Sequence, residues 1–329
     1  MISKFLISNF KLNNTGQSII EIVVALAIFV LIASSLAALI MGSFSLLTRS
    51  SEFIKAAALT EEGVEAVRGI SNRAWNELIY NQSAVEIADN SWSLIGEGTE
   101  EQIGNFTRVI NFLPVYRDGA GSIALGSEPG AYADVMSKEI IVGVSWDIGG
   151  GSGNSVERNI YLTNWNAKFW EQADWIGGGG QEIWSENNKY DSDDGNINFS
   201  TSGEITLAEI ATSTYASTGY LISSAFNTEK LANFSAIFWE ESLPPSCSEC
   251  LIKLQIKTAP NNGGVPGVWS GTWSGPDGED GDEIDYFTVS SGGLIHTDHN
   301  SDQWVKYRAV LEGNASTTPI LEEIKIYYQ

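Results

Sequence analysis

One carboxylate stands at the head of a long apolar segment. Glu21 directly precedes residues 22–48, a run that carries no charged residue. An ionisable side chain next to such a run is costly unless it is paired, and is therefore a functional candidate by default. At about 1.5 Å rise per residue, a helix over this run would span roughly 40 Å, enough to cross a hydrocarbon core of about 30 Å. The sequence thus predicts a membrane-spanning segment whose carboxylate needs a partner.

The motif TGQSIIE, at residues 15–21, resembles the processing site of type IV prepilins. In that family a membrane peptidase cuts after a glycine, the new amino terminus is methylated, and a glutamate at the fifth mature position guides assembly. The resemblance implies cleavage after Gly16, methylation of Gln17, and Glu21 at the fifth mature position. It also implies that Glu21 pairs with the amino group of Gln17 on a neighbouring subunit. Gln17 departs from the pattern, because the family usually has an apolar residue there.

The charges ahead of this motif predict an orientation. Lys4 and Lys11 are the only charged residues among residues 1–16, so the positive-inside rule keeps this end in the cytoplasm and exports the rest. A secretory signal peptide is cut after its apolar stretch, whereas Gly16 precedes it. We expect a single-pass protein of the cytoplasmic membrane that later enters an extracellular or envelope filament. The alternative is an ordinary signal anchor whose glutamate lies near the interface by accident.

A second group of residues is typical of calcium chemistry. The loop NKYDSDDGN places Asp191, Asp193, Asp194 and Asn196 beside a glycine, and clustered hard oxygen ligands suit Ca²⁺. The loop lacks the glutamate that closes an EF-hand, and a solvated surface loop is the alternative. We expect no cofactor, with Ca²⁺ at this loop as the one candidate.

The histidines give a weaker metal hypothesis. His296 and His299 are the only two in the chain, and Asp298 lies between them, so the segment HTDH could supply three ligands. A polar turn is the alternative. No Gly-x-Ser-x-Gly nucleophile motif occurs. We therefore expect a protein that is not an enzyme.

Two further pairs of residues are candidates for a disulfide and for a ligand site. Cys247 and Cys250 flank a short turn and form either a small local disulfide or lone thiols. Trp269 and Trp273 lie in a Gly- and Pro-rich loop, where an exposed ring could stack on a sugar. Packing is the alternative for both, since large aromatic side chains are mostly buried.

Charge excludes one class of partner. The chain has 329 residues, with 18 basic against 41 acidic side chains and a net charge of −23. Phosphate binding needs the opposite sign, so nucleic acid is not an expected partner. The length favours two domains.

The spacing of apolar residues predicts the helix and the strands that must position these side chains. After the apolar run, a stripe recurs at steps of three and four, which predicts that the helix continues to about Leu78. The stripe consists of Phe53, Ala57, Thr60, Val64, Val67, Ser71, Ala74 and Leu78. A period of two then predicts strands at residues 92–95, 106–112, 140–146 and 156–162. A long helix laid on such an antiparallel sheet resembles the pilin fold, and the segments EEGVEAVRGISNRAW, RVINF and VGVSWD are similar to minor pilins and pseudopilins.

The second half of the chain has a different residue pattern. Residues 164–180 break both periods and end in four glycines. Short strands separated by Gly, Pro and Asn turns follow, which favours a β-sandwich; they are predicted at residues 204–211, 220–224, 235–239, 251–259, 285–290, 304–311 and 321–328. Segments such as GYLISSAFNT, LIKLQIKTA and TPILEEIKIYY resemble discoidin-like, galactose-binding-type jelly rolls appended to bacterial surface proteins.

The predicted fold class is α+β. Residues 1–16 form a leader, residues 17–48 a transmembrane and assembly helix, residues 49–170 a pilin-like domain with the helix packed on an antiparallel sheet, and residues 171–329 an all-β jelly-roll sandwich. The predicted function is that of a minor pilin or pseudopilin. Prepilin peptidase would process it, and it would assemble with other pilin subunits and display the sandwich for adhesion to a glycan or protein ligand. The alternative is a pseudopilin of a type II secretion or DNA-uptake machine that binds a transported protein.

Overall fold

The computed structural model describes residues 19–147, 153–278 and 284–329. The predicted processing residues Gly16 and Gln17 lie outside the described residues. The chain divides into two compact units, Met1–Lys55 and Ala56–Gln329.

The first unit contains the start of a 55-residue helix, α1, at Ile19–Arg73. The apolar side chains of residues 19–55 are exposed. The helix is long and apolar enough to cross a membrane. Phe53, which the stripe predicted to face a core, belongs to this unit and is 55% exposed. That prediction is wrong because the buried face of α1 begins one turn later, at Ala56.

Of the first eight strands that follow α1, six form an antiparallel sheet. The strands are β1 Gln82–Ser83, β2 Val85–Ala88, β3 Ser91–Leu94, β4 Glu101–Ile103, β5 Phe106–Arg117, β6 Ile123–Ala124, β7 Tyr132–Trp146 and β8 Asn154–Thr163. The sheet order is β1-β5-β7-β8, with β4 and β6 also paired to β5, while β2 and β3 form a separate hairpin. The four strands predicted in this part of the chain are confirmed, with longer bounds for β5, β7 and β8.

The final turns of α1 lie on this sheet. Because side chains alternate along a strand, β5 buries Arg108, Ile110 and Phe112 on one face. The shared core consists of Val64, Ala66, Val67, Ile70, Trp75, Leu78, Val85, Ile110, Phe112, Ile140 and Val142. Gly63 allows the close approach, since a Cβ there would lie 2.8 Å from Val142 Cγ1. The helix therefore sits on the sheet as the sequence predicted.

One buried cation joins helix and sheet. Arg108 is almost fully buried, donates from Nε and Nη2 to Glu101 Oε2 at 2.9 and 2.6 Å, and donates from Nη1 to the Leu59 carbonyl at 2.9 Å. A buried charge is tolerated only when it is paired and hydrogen-bonded in this way.

The helix ends earlier than predicted. α1 stops at Arg73 rather than near Leu78, Ala74 adopts an extended conformation, and a 3₁₀ helix covers Trp75–Glu77. Ala74 and Leu78 are buried nonetheless. The break has a tertiary cause, because it lets the Trp75 indole donate to the Val135 carbonyl at 2.8 Å.

The remaining strands build the second half. They are β9 Lys168–Gln172, β10 Ser192–Asp193, β11 Ile197–Asn198, β12 Thr206–Leu207, β13 Glu209–Ala211, β14 Thr214–Tyr215, β15 Thr218–Ile222, β16 Phe226–Ser242, β17 Leu251–Ala259, β18 Asn261–Asn262, β19 Val265–Pro266, β20 Gly293–Leu294, β21 Asn300–Glu312 and β22 Ile320–Tyr328. A 3₁₀ helix covers Thr297–His299. The main sheet has the order β10-β15-β21-β16-β22-β9, with β17 paired to β21 and β20 to β16.

The long strand β16 gives this part its sandwich character. Its first residues pair with β21, and from Phe234 onward it pairs with β22, with register shifts between the two stretches. The two portions enclose one core, to which β16 contributes Phe234, Ile237 and Trp239, β17 Ile252, Leu254 and Ile256, β21 Val305, Tyr307, Ala309 and Leu311, and β22 Leu321, Ile324 and Ile326. The predicted fold class, α+β with a β-sandwich in the carboxy-terminal part, is confirmed.

Two predicted features of this half differ from the structure. Residues 285–290 form no strand; a single bridge joins Phe287 to Leu254, and the buried Phe287 ring anchors the segment in the sandwich core. The predicted boundary between residues 170 and 171 falls inside β9, which pairs with β22 and places Trp170 in the sandwich core. The second sheet therefore begins at Lys168.

Buried amides join the end of α1 to the sandwich. Asn76 has no exposed surface, and its Nδ2 donates to the carbonyls of Phe234 and Ile295 at 3.0 and 3.1 Å and to Asn300 Oδ1 at 2.8 Å. Gln329 accepts from the Trp75 amide at 3.1 Å and donates to Asn164 Oδ1 at 2.6 Å. We call these residues, Trp75, Asn76, Asn164, Asn300 and Gln329, the junction.

The junction predicts a stability effect. Asn76→Ala should lower the free energy of unfolding of the second unit by about 1–3 kcal/mol, because buried acceptors lose their donor. The exposed Asn187 provides a matched control, and Asn187→Ala should change stability by less than about 0.5 kcal/mol. Thermal and chemical unfolding of both variants measures the difference. Equal free energies of unfolding for the two variants would show that the hydrogen bonds of Asn76 do not stabilise the second unit.

Candidate functional site

A cleft of about 410 Å³ opens on the sandwich beside one of the two predicted ligand residues. Lys306 of β21, the hairpin β18–β19 and the segment before β10 supply its walls. The lining residues are Glu182, Ile183, Asp191, Ala225, Val265, Pro266, Trp269 and Lys306. We call this cavity the Trp269 cleft.

Trp269 forms an aromatic wall of this cleft. The ring is half-buried and packs against the small cluster of Ala225, Ala259 and Trp304. Lys306 Nζ lies 4.4 Å from the ring centroid, a distance at which an ammonium is attracted to an aromatic face. The indole is therefore held in place while part of it borders the cleft.

Three charged side chains of the cleft keep unused hydrogen-bonding capacity. Within residues 19–147, 153–278 and 284–329, the side chains of Glu182, Asp191 and Lys306 make no hydrogen bond and no ion pair within 4.0 Å. Burial raises the pKa of Asp191, against the opposing charge of Lys306. Burial likewise lowers the pKa of Lys306, although Asp191 opposes the shift. Two acceptors and one donor beside an aromatic wall suit a ligand rich in hydroxyl groups.

Trp273 lies in a different environment. Its side chain is 8% exposed and does not line the cleft. Three cations approach its ring centroid, with Lys257 Nζ at 5.4 Å, Lys306 Nζ at 5.7 Å and the Arg308 guanidinium at 5.3 Å. Lys257 and Lys306 are register partners on β17 and β21, and like charges placed so are destabilising. The ring offsets this repulsion and fastens its loop to the sheet, so the contacts support the packing alternative for Trp273.

The structure does not gather the four residues of the proposed calcium loop. Asp193 accepts from the Tyr190 hydroxyl and from the Gly195 amide, both at 2.7 Å, while Asp194 accepts from the Asn196 amide at 3.0 Å. Asp191 instead lines the Trp269 cleft. No group of three His, Cys, Asp or Glu side chains able to hold a metal ion occurs in the part of the chain that the structure describes. These carboxylates stabilise a turn.

The two histidines lie in different environments. His296 accepts a hydrogen bond from the Asp298 amide at 3.3 Å and begins the short 3₁₀ helix. His299 is fully buried, with Nδ1 3.0 Å from Thr258 Oγ1 and Nε2 3.1 Å from Ser274 Oγ. Both ring nitrogens are thus occupied by hydroxyl groups, and the arrangement does not support the three-ligand metal hypothesis.

A disulfide joins Cys247 and Cys250. Both residues are buried, and Asn314 Nδ2 lies 3.3 Å from Cys247 Sγ. The bond closes the turn that leads into β17.

Glu21 lies in the first turn of α1. The carboxylate that the sequence singled out therefore has a defined position on a helix.

Sequence reasoning missed Glu182 and Lys306 as site residues. The available signal was weak: in WVKYRAV the basic residues alternate with core residues, which places Lys306 on the outer face of β21. Nothing in the sequence indicates that residues 182, 191, 269 and 306 meet.

Comparison with known proteins adds little. The chain matches no protein-family model and no curated protein. It is similar to a solved structure from a study described as "Structural basis for the promiscuous specificity of the carbohydrate-binding modules from the beta-sandwich super family", with 14% sequence identity and a TM-score of 0.24, over 70% of this chain and 90% of that chain. A likeness of this strength carries no argument about this protein.

The two tryptophans should respond differently to truncation. Trp273→Ala should lower the free energy of unfolding by about 3–5 kcal/mol, the usual cost of a lost buried aromatic side chain. Trp269→Ala should cost clearly less, because its ring is only half-buried. The control is Trp165→Ala, at a position 78% exposed, which should stay within about 0.5 kcal/mol. Equal losses at positions 269 and 273 in denaturant titrations would contradict this assignment.

His299 predicts a pH dependence of stability. Burial lowers its pKa from 6.5 to about 4, although Asp298 opposes the shift. The unfolded chain therefore binds the proton more readily, and the contribution of His299 to stability is present above pH 6.5 and is lost as the pH falls towards 4. We expect the stability difference between wild type and His299→Gln to shrink over this window in unfolding curves. A difference that is constant with pH would contradict the assignment.

Proposed function

We propose that this protein is a type IV pilin-like subunit, a minor pilin or pseudopilin, that is processed after Gly16 and displays a ligand-binding sandwich. The observation that carries the proposal is α1. Its apolar first part has Glu21 in the first turn, and the same helix continues to Arg73, where it packs on an antiparallel sheet. This combination of anchor, carboxylate and helix-on-sheet domain supports a subunit that leaves the membrane for a filament.

Glu21 has a specific role in this proposal. In an assembled filament an unpaired carboxylate among apolar helices would be costly, so it needs a cation there. Cleavage after Gly16 would create that cation as the amino group of Gln17. Processing and assembly are therefore separate steps that depend on different residues.

For the sandwich we propose binding of a neutral glycan in the Trp269 cleft. A sugar presents C–H faces to an aromatic wall and hydroxyl groups to charged side chains, and Trp269, Glu182, Asp191 and Lys306 offer both kinds of contact. The net charge of −23 disfavours acidic glycans. We propose binding without catalysis.

Two substitutions separate processing from assembly. Gly16→Val should leave the leader attached, because a β-branched side chain obstructs access to the scissile bond. Glu21→Ala should be cut normally, since residue 21 lies beyond the bond, but should enter filaments poorly. Mass spectrometry of both variants, expressed with an active prepilin peptidase, measures cleavage, and filament fractionation measures assembly. Wild-type protein that retains residues 1–16 under these conditions would leave the signal anchor as the correct interpretation.

The cleft makes its own prediction. Trp269→Ala and Glu182→Gln should each weaken binding to an immobilised neutral oligosaccharide by about tenfold, a loss of about 1.4 kcal/mol, while Trp165→Ala should bind as wild type. Pull-down with secreted proteins in place of glycans tests the alternative role in a secretion or uptake machine. Binding that survives both cleft substitutions would rule out the Trp269 cleft as the glycan site.

A further inference from the structure

A second cleft lies where the first sheet meets the sandwich. Its volume is about 360 Å³, and its walls include Tyr132 of β7, Phe238 of β16 and Tyr327 of β22, with Ser290 and Ser291 at one side. It shares no lining residue with the Trp269 cleft. Ligand sites occur preferentially at such interfaces between structural units.

Aromatic rings continue from this cleft across the outer face of three adjacent strands. The Tyr327 centroid lies 5.3 Å from that of Phe238 and 5.6 Å from that of Phe169 on β9. The neighbouring residues Ile324 and Ile326 point into the core, so Tyr327 lies on the solvent side of β22. Phe169 is 51% exposed. Cross-strand aromatic pairs stabilise a sheet by only about 0.2–1 kcal/mol. Sheet stability alone therefore does not explain why this face carries so much apolar surface.

Polar groups around the rings are unpaired. Neither the Tyr132 and Tyr327 hydroxyls nor those of Ser290 and Ser291 make a hydrogen bond with any of the residues described in the structure. Tyrosine combines an apolar ring with a polar tip. Lys325, the one cation among the described residues that line the cleft, is already paired with Glu323 and, at 3.4 Å, with Glu171. Among the residues that the structure describes, the cleft thus offers aromatic faces, neutral hydroxyl groups and the carboxylates of Glu240 and Glu323, but no free positive charge.

The walls of this cleft are held in place. Gly292 has φ +123°, and a Cβ there would lie 2.7 Å from Phe238 Cζ and 2.8 Å from Val135 Cγ2, so only glycine lets this loop pass between Phe238, which lines the cleft, and Val135 of β7. The Val135 carbonyl also accepts from the Trp75 indole of the junction. A site with fixed walls loses less conformational entropy on binding.

We propose that this cleft is a second saccharide-binding site, in which Tyr327 and Phe238 contact the faces of a neutral pyranose and the hydroxyls of Tyr132, Ser290 and Ser291 bond its hydroxyl groups. The inference rests on the proposed glycan function of the sandwich. Two sites in one compact unit bind a long glycan more tightly than either does alone, by roughly 10²–10⁴-fold when both are engaged.

The test uses the full-length protein in detergent and an immobilised panel of neutral, amino and acidic oligosaccharides. Tyr327→Ala should weaken binding to a long neutral glycan by at least about tenfold without lowering the unfolding temperature. Tyr161→Ala, at an exposed tyrosine of β8, is the matched control and should bind as wild type. If Tyr327→Ala lowers the unfolding temperature, Tyr132→Ala decides instead and should weaken binding.

The outcomes separate this inference from the proposed function. Loss of binding in Trp269→Ala together with wild-type binding in Tyr327→Ala and Tyr132→Ala would overturn the second site and leave the Trp269 cleft intact. A wild-type protein that binds no member of the panel would overturn both glycan sites. Preference for the acidic oligosaccharides would also overturn this inference, because the described lining residues include no unpaired cation.

Discussion

A buried amide that must find its partners organises the second unit. The Asn76 side chain is placed by the end of α1, yet the carbonyls and the amide that satisfy it belong to β16, to the segment before the second 3₁₀ helix and to β21. Leaving such a group unpaired costs about 1–3 kcal/mol. The end of α1 at Arg73 serves both contacts, since the Trp75 indole then reaches β7 and the Asn76 amide reaches the sandwich within one compact unit.

Electrostatics shapes the outer face of the sandwich in a similar way. The chain is strongly acidic, but Lys257, Lys306 and Arg308 are brought together on the neighbouring strands β17 and β21. The ring of Trp273 covers this group, and Lys306 also contacts Trp269. Two tryptophans that look equivalent in the sequence therefore differ in role, since one is enclosed by cations and the other is left beside an open cleft.

Periodicity predicted much of the fold and little of the site. The long helix, the strands of the first sheet and the sandwich were predictable because their apolar residues repeat at steps set by local geometry. The end of α1 was not, since Ala74 and Leu78 continue the helical repeat and are buried even though the helix has stopped. The Trp269 cleft was only partly predictable: Trp269 was identified, but its neighbours Glu182, Asp191 and Lys306 come from distant segments that the topology alone brings together.

The junction has a mechanical consequence. A ligand held in the sandwich and pulled away from the rest of the second unit would load the hydrogen bonds of Asn76 and Gln329 together, because they cross the same boundary. Bonds that share a load in parallel yield only when all of them break, so this boundary transmits tension instead of acting as a hinge. The first sheet and the sandwich would move under traction as one body.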